Sequence, residues 1–289
     1  MHLYLDIKTI PSQRPGIRDE IAATITPPGN ISKAETIAAW EAEKKPALVD
    51  EAYAKTAYDG AAGHVVAIAY GIDDGNEATW CAKYMRPDWL VGSKQDMLST
   101  EKVIMERAFV AMTDALQNAA NAAEKHRLGP GRGFVYVRGG EIRDCQANVG
   151  PVTVVAHYAD HVLRFLYQRA VILGVPVPRW FPINARANHN QPMGGAPLVV
   201  DTMTYWTGYG GRISLDRLCD TLGVKRETHI GDDQVYDRWL ADDYDDVVLV
   251  ARSNVMRLRQ IHRKLTFWTP PPEQVVGPET VMQEALVHD

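Results

Sequence analysis

The chain of 289 residues is poor in cysteine and has no long apolar run. Its three cysteines, Cys81, Cys145 and Cys219, lie far apart and form no C-x-x-C pair, so the sequence predicts neither a disulfide framework nor a structural zinc site. No apolar stretch approaches the ~20 residues that cross a bilayer, and Asp6 and Lys8 interrupt the apolar N-terminal segment. We therefore expect a protein without a signal peptide or membrane contact, suited to the reducing cytoplasm.

The chain also lacks an excess of basic residues. It has 31 Lys and Arg against 36 Asp and Glu, a formal net charge of −5. This balance excludes a strongly basic coat, so any contact with nucleic acid would come from a local patch. Hydrophobic residues make up 46%, enough for a sizeable core, and no internal repeat or linker divides the chain. We predict one domain over residues 1–269, followed by a tail at 270–289.

Apolar runs typical of strands alternate with segments of helical periodicity, which predicts a mixed α/β domain. The predicted strands cover residues 2–6, 65–71, 78–84, 152–157 and 198–203. The main predicted helices cover residues 100–125, 160–173, 215–222, 232–240 and 244–265. A helical insert at 11–60 and a β-hairpin insert at 128–150 complete the prediction. The segment 206–212 is predicted as a loop.

Two charged residues on the first strand are the first candidates for a functional site. Asp6 lies where a strand delivers a carboxylate to a sheet, an arrangement common in metal-dependent phosphoryl transfer. Side chains on a strand repeat every second residue, so Lys8 points the same way as Asp6. A lysine therefore stands where a second acid would serve such a site.

Several phrases of the sequence, taken in order, resemble a known family. They are Leu5-Asp6-Ile7-Lys8-Thr9-Ile10-Pro11; Arg169-Ala170 with Leu173-Gly174-Val175-Pro176; Asp201-Thr202-Met203; Ser214-Leu215-Asp216-Arg217-Leu218-Cys219 with Leu222-Gly223; Gly231 with Val235; and Ser253-Asn254-Val255 with Arg259-Gln260-Ile261. In this combination the chain resembles the 3′–5′ exonucleases of the DEDD superfamily, in particular those related to the exonuclease domain of family B DNA polymerases. Many such proteins are encoded by phages or prophages.

The resemblance implies a ribonuclease H-like (RNase H-like) fold with a mixed five-stranded sheet, and a site in which four carboxylates hold two divalent cations. When the catalytic positions of the family are placed on this sequence one by one, only Asp6 matches a catalytic residue. Lys8 stands in place of a glutamate, and Val162 and Asn254 stand in place of aspartates. Val250 replaces the tyrosine or histidine that orients the attacking water.

Four replacements among five positions predict a protein that has lost cleavage, with no metal and no other cofactor. A lysine at the metal position repels a cation directly, and one carboxylate with an amide cannot offset two divalent ions. The alternative is an active enzyme with a rearranged site, in which Asp6, Asp160 and Asp246 would hold Mg²⁺ or Mn²⁺. Without such a role, Asp160 is expected to cap a helix and Asp246 to lie in a first helical turn.

The remodelled site has two further interpretations. Lys8 and Asp6 form a salt bridge that closes the metal position, or the Lys8 ammonium contacts a phosphate. In the second case the cleft would bind a single strand or a 3′ end without cutting it. The residues that could contribute are Lys8, His157, Tyr158 and His161 at the sheet end and Arg259 and Arg263 on the last helix.

The rival hypothesis, from another functional class, is a protein-interaction module. A phage-encoded protein of this kind would engage or inhibit a host nucleic-acid or defence complex. The 11–60 insert and the hairpin insert would then supply the contact surfaces.

Overall fold

The computed structural model describes residues 1–81, 97–128, 149, 151–182 and 198–269. The predicted hairpin in the 128–150 insert and the predicted tail at 270–289 lie outside these residues. The described part contains a five-stranded sheet with helices packed against it, which confirms the predicted α/β class and mixed sheet. Its strands are β1 (His2–Ile10), β2 (His64–Ile72), β3 (Ala78–Cys81), β4 (Thr153–Ala156) and β5 (Val199–Asp201).

The sheet is built around β1. The strand order is β3-β2-β1-β4-β5, with β1 antiparallel to β2 and parallel to β4. The prediction that the first strand ends at residue 6 was wrong: β1 continues to Ile10, because β2 pairs with it down to His64. The register of this pair shifts between Lys8 and Thr9, a bulge of the kind that re-aims a side chain.

The helices agree with the periodicity of the sequence in most places. They are α1 (Ile17–Thr24), α2 (Ala34–Glu43), α3 (Lys45–Lys55), α4 (Met97–Leu128), α5 (Ala159–Leu173), α6 (Thr202–Thr207), α7 (Leu215–Leu222), α8 (Val235–Leu240) and α9 (Tyr244–Leu265), with 3₁₀ turns at Thr56–Tyr58 and Asp232–Gln234. The 11–60 insert is helical as predicted. Helix α6 was missed, and the predicted loop at 206–212 therefore begins two residues too early.

Both faces of the central strands are covered. All residues of β2 except Ile72 are buried, and β4 is buried throughout, as expected where helices cover both faces of a sheet. Helix α4 packs against β2, and α9 packs across β1, β2 and β3. Among the described residues, no helix combines the length and the apolar character that a membrane crossing requires.

A buried ion pair connects two of these helices to the sheet. The Arg169 guanidinium on α5 donates from Nε and Nη2 to Glu101 of α4, at 2.8 and 2.6 Å. Glu101 also accepts from the Val65 backbone N–H of β2 at 2.8 Å and lies 3.0 Å from Nδ1 of His64. Glu101 is fully buried and Arg169 is 2% exposed, so each charge depends on the other.

We expect Arg169→Met to lower the free energy of unfolding by about 3–5 kcal/mol, because it leaves the Glu101 carboxylate buried without a partner. Urea denaturation at pH 7 measures this change. Arg164→Met on the same helix is the matched control, since Arg164 pairs with Asp160 at the surface; it should change stability by less than about 0.5 kcal/mol. Equal effects of the two variants would contradict a special role for the buried pair.

Candidate functional site

The ammonium group of Lys8 lies between two carboxylates at the floor of a cleft. Its Nζ is 2.6 Å from Oδ2 of Asp6 and 2.5 Å from Oδ1 of Asp232, and Lys8 as a residue is 3% exposed. Of the two interpretations of Lys8, the ion pair with Asp6 is the one present, and the two side chains point the same way as their spacing on the strand predicts. Asp232, in the 3₁₀ turn before α8, is a partner that the sequence did not indicate.

Asn254 of α9 extends this cluster. Its Nδ2 donates to both oxygens of Asp232, at 3.1 and 3.2 Å, and lies 3.4 Å from Oδ2 of Asp6. Its Oδ1 accepts a hydrogen bond from Arg257, which also donates to Asp216 of α7 at 2.6 Å. The amide thus joins the Asp6 and Asp232 carboxylates to a buried arginine, and the network ends at Asp216.

The electrostatics of the cluster favour a charged lysine. Burial by itself would lower the pKa of the Lys8 ammonium, but the Asp232 and Asp6 carboxylates outweigh that effect and raise it. Burial raises the pKa of Asp6 to about 6, against the opposing influence of Lys8. Partial burial would raise the pKa of Asp232, whose side chain is half exposed. The nearby Lys8 ammonium and the hydrogen bonds from Lys8 and Asn254 outweigh that effect and lower the pKa. At neutral pH the ammonium is therefore the counter-ion of this carboxylate pair.

The other positions that the resemblance singled out carry no metal ligand. Val162 is buried and lines the cleft with an apolar side chain, and Val250 is 1% exposed in the core. Asp160 pairs with Arg164, and the prediction that it caps a helix was wrong, since the N-cap of α5 is Tyr158 and Asp160 lies in the first turn. Asp246 lies in the first turn of α9 as expected and pairs with Arg238.

The rearranged metal site therefore receives no geometric support. Asp160 and Asp246 are absent from the cleft lining, so neither joins Asp6 there. Within the described residues, no group of three or more His, Cys, Asp or Glu side chains is placed to hold a metal ion.

The cleft has a volume of about 720 Å³ and three kinds of wall above its ionic floor. An aromatic wall carries Tyr58, Tyr158 and His161, and a basic wall carries Arg212 and Arg217. The third wall, from the 3₁₀ turn and α8, carries the acids Asp233 and Asp237. The insert contributes to the cleft through the end of α3 and the 3₁₀ turn that follows it.

His157 is engaged by the protein on both sides of its ring. Its Nδ1 lies 3.0 Å from the Thr202 hydroxyl, and its Nε2 lies 2.9 Å from the carbonyl oxygen of Ile213. Burial lowers the pKa of the imidazole, which favours the neutral form. Because both nitrogens have partners, His157 positions the wall of the cleft and offers no free donor to a phosphate.

Tyr158 and His161, by contrast, present ring surface to the cleft. Their rings stack with centroids 5.5 Å apart and an interplanar angle of 22°. The Tyr58 ring lies 5.9 Å from His161 and is 71% exposed, and the Arg212 guanidinium lies 5.4 Å from the centre of the Tyr158 ring. Burial lowers the pKa of His161 as well. The result is a line of flat groups along one wall of the cleft.

The two arginines predicted on the last helix lie elsewhere. Arg259 contacts Glu77 at 2.5 Å and the carbonyl oxygen of Gly75, and Arg263 pairs with Asp74. Both bind the β2–β3 turn, and Arg263 lines a second cavity of about 290 Å³. Their spacing places them together as expected, but it does not place them in the cleft that contains Asp6.

A buried histidine also lines the second cavity. His262 is 6% exposed, and its Nδ1 is 3.1 Å from the Tyr4 hydroxyl. Burial, with a smaller effect of the His2 ring 5.0 Å away, lowers the pKa of His262 to about 4. The neutral imidazole is therefore part of the folded state at neutral pH.

Sequence reasoning missed Asp232, Arg212 and Arg217. Asp232 was assigned only a helix-opening role, and it lies 224 residues from its partner Lys8. Arg212 and Arg217 had no distinguishing motif of their own, and only the position of α7 brings them to the cleft. Comparisons with protein-family models, with curated proteins and with solved structures found no match to the chain.

The double variant Lys8→Glu/Asn254→Asp is expected to bind Mn²⁺, because it adds two carboxylates where Asp6 and Asp232 converge. At a Mn²⁺ concentration ten times the Kd, its free energy of unfolding should rise by about 1.4 kcal/mol. Thermal unfolding with and without the ion measures this change. The wild type and Asn254→Asp alone keep the ammonium and should show no such gain. A double variant indifferent to Mn²⁺ would show that these positions do not form one cation site.

Because His262 is buried in its neutral form, it should make the protein less stable at low pH. Its pKa is lower in the folded state than in the unfolded state, so its contribution is full above pH ~6.5 and is lost as the pH falls toward 4. Between pH 7.5 and 4, we expect the free energy of unfolding of the wild type to fall by about 2–3 kcal/mol more than that of His262→Gln. Urea denaturation at the two pH values measures this difference. Glutamine keeps an acceptor for Tyr4. If the free energies of unfolding of the two proteins change in parallel with pH, His262 is not held in its neutral form by the fold.

Proposed function

We propose that the protein is an exonuclease-like chain of RNase H-like fold that has lost cleavage and binds a single nucleic-acid strand in the Asp6 cleft. The observation that carries this proposal is the Lys8 ammonium between Asp6 and Asp232. The mixed five-stranded sheet, with Asp6 on its central strand, supports the family resemblance. The family chemistry requires two divalent cations at the position that the lysine occupies.

The lysine argues against cleavage on simple electrostatic grounds. A divalent ion placed beside Asp6 would meet a buried positive charge at hydrogen-bond distance, and the two would repel each other strongly. Displacing Lys8 would leave its ammonium buried without a partner, which is costly. The lysine is also an unsuitable phosphate contact, since both carboxylates already engage it. This favours the salt-bridge interpretation of Lys8 over direct binding of a strand.

Strand binding is supported by the basic and aromatic walls. Arg212 and Arg217 are exposed, and neither forms an ion pair with another described residue. Guanidinium groups of this kind contact phosphates or stack on planar groups, and flat aromatic groups stack on unpaired bases. The acids Asp233 and Asp237, which also line the cleft, repel a phosphate backbone. A strand would therefore follow the side of the cleft formed by α5 and α7.

A protein partner is the second candidate, favoured by exposed aromatic side chains outside the cleft. On α6, Tyr205 is 59% exposed and Trp206 is 44% exposed, and Tyr209 after the helix is 78% exposed. Exposed aromatic residues grouped in this way are typical of protein-contact surfaces. This surface suits the alternative of a module that engages a host nucleic-acid or defence complex.

A labelled 12-nucleotide single strand should bind the wild type with an affinity that falls as salt rises. Arg217→Ala should weaken binding and reduce the slope of log affinity against log salt by about 0.7, the value for one phosphate contact to a single strand. Fluorescence anisotropy measures both effects. Arg263→Ala, outside the cleft and paired with Asp74, is the matched control and should behave as the wild type.

Two results would contradict the proposal. Absence of binding at low salt would favour the protein-partner candidate, which the exposed aromatic residues of α6 support. Degradation of a 3′-labelled strand with Mg²⁺ or Mn²⁺, abolished by Asp6→Ala, would instead establish the enzyme alternative.

A further inference from the structure

The backbone of Tyr158 is held in a conformation that tyrosine rarely adopts. Its φ and ψ are 57° and 53°, in the left-handed region that disfavours residues with a Cβ. Asp201, at the end of β5, fixes this geometry: its Oδ1 accepts from the Tyr158 N–H and its Oδ2 from the Ala159 N–H, both at 3.0 Å. Strain held by surrounding contacts in this way is found most often at functional sites.

The strained turn controls where the Tyr158 ring lies. One side of the ring stacks on His161, which in turn contacts Phe165 edge-on at 5.6 Å and is thereby anchored to α5. The Arg212 guanidinium lies over the Tyr158 ring with no ion pair to another described residue. Arg212 is exposed, so its side chain is free to move outward. A planar group could then lie between the phenol ring and the guanidinium.

We propose that Tyr158 is the stacking residue for one unpaired base of the bound strand and that Arg212 covers the opposite face of the base. This inference rests on the proposed function, since it assigns one base of the strand to one place in the same cleft. Stacking of a base on a tyrosine is tolerant of sequence, because every base has a π-face. The subsite therefore selects an unpaired base rather than a particular one.

A double-mutant cycle between the protein and the strand tests this assignment. The strand is a labelled 12-nucleotide DNA, intact or with one abasic site at each position in turn, and affinities are measured by anisotropy at several salt concentrations. The protein variants are Tyr158→Asn, Tyr158→Phe and Arg212→Ala, with Tyr205→Asn as an exposed aromatic control outside the cleft. Asparagine suits the left-handed backbone, so Tyr158→Asn removes the ring without adding strain.

Tyr158→Asn should weaken binding of the intact strand by about 5- to 100-fold with an unchanged salt slope, because it removes a base contact and no phosphate contact. Tyr158→Phe should retain most of the affinity. One abasic position should weaken wild-type binding by a similar factor and have little further effect in Tyr158→Asn. The loss of affinity caused by that abasic position should also be smaller in Arg212→Ala than in the wild type. This comparison tests the same subsite without changing the Tyr158 turn.

Two results would overturn the inference and are distinguishable. If the wild type binds the strand but abasic effects are the same in all variants, the base subsite is wrong while strand binding stands. If the wild type does not bind at low salt, the proposed function fails and the subsite fails with it.

Discussion

The Lys8 ammonium, buried between Asp6 and Asp232, is the interaction on which the rest of the cleft depends. It joins the central strand to a 3₁₀ turn 224 residues further along the chain. Asn254 and Arg257 continue the network to Asp216 of α7, the helix that also carries Arg217. One buried positive charge therefore sets the chemistry of the floor and helps to fix the basic wall above it.

Among the described residues, two ionic networks contain buried charges, and they have different consequences. Glu101 and Arg169 are buried in the core, where hydrogen bonds from β2 also satisfy the carboxylate, and they hold the helices against the sheet. Lys8 lies at the foot of an open cleft, where the carboxylates of Asp6 and Asp232 hold its charge. Burial of a charge costs free energy in both places, and a close partner offsets that cost. Only the second pair lines the cleft.

Local patterns in the sequence were sufficient for much of the fold. The period of β1 placed Asp6 and Lys8 on one side of the strand, and the bounds of α9 follow from its apolar stripe and flanking residues. Helix α6 was missed because six residues are too few to show helical periodicity, although Asp201 supplies the N-cap by accepting from the Met203 N–H. The length of β1 was underestimated because its second half is stabilised by pairing with β2 rather than by its own composition.

The sequence by itself determined the α/β class and placed Asp6 and Lys8 on one side of the first strand, but it left open whether Lys8 pairs with Asp6 or contacts a phosphate. The class and this placement depend on residue identity and on spacings of a few positions, which the chain encodes directly. Only the tertiary structure decided that Asp232 is the second partner of Lys8, that Arg212 and Arg217 face the cleft, and that Arg259 and Arg263 do not. Those placements depend on contacts between residues far apart in the chain, and no local period fixes the relative position of a strand, a turn and a helix that meet only in the folded protein.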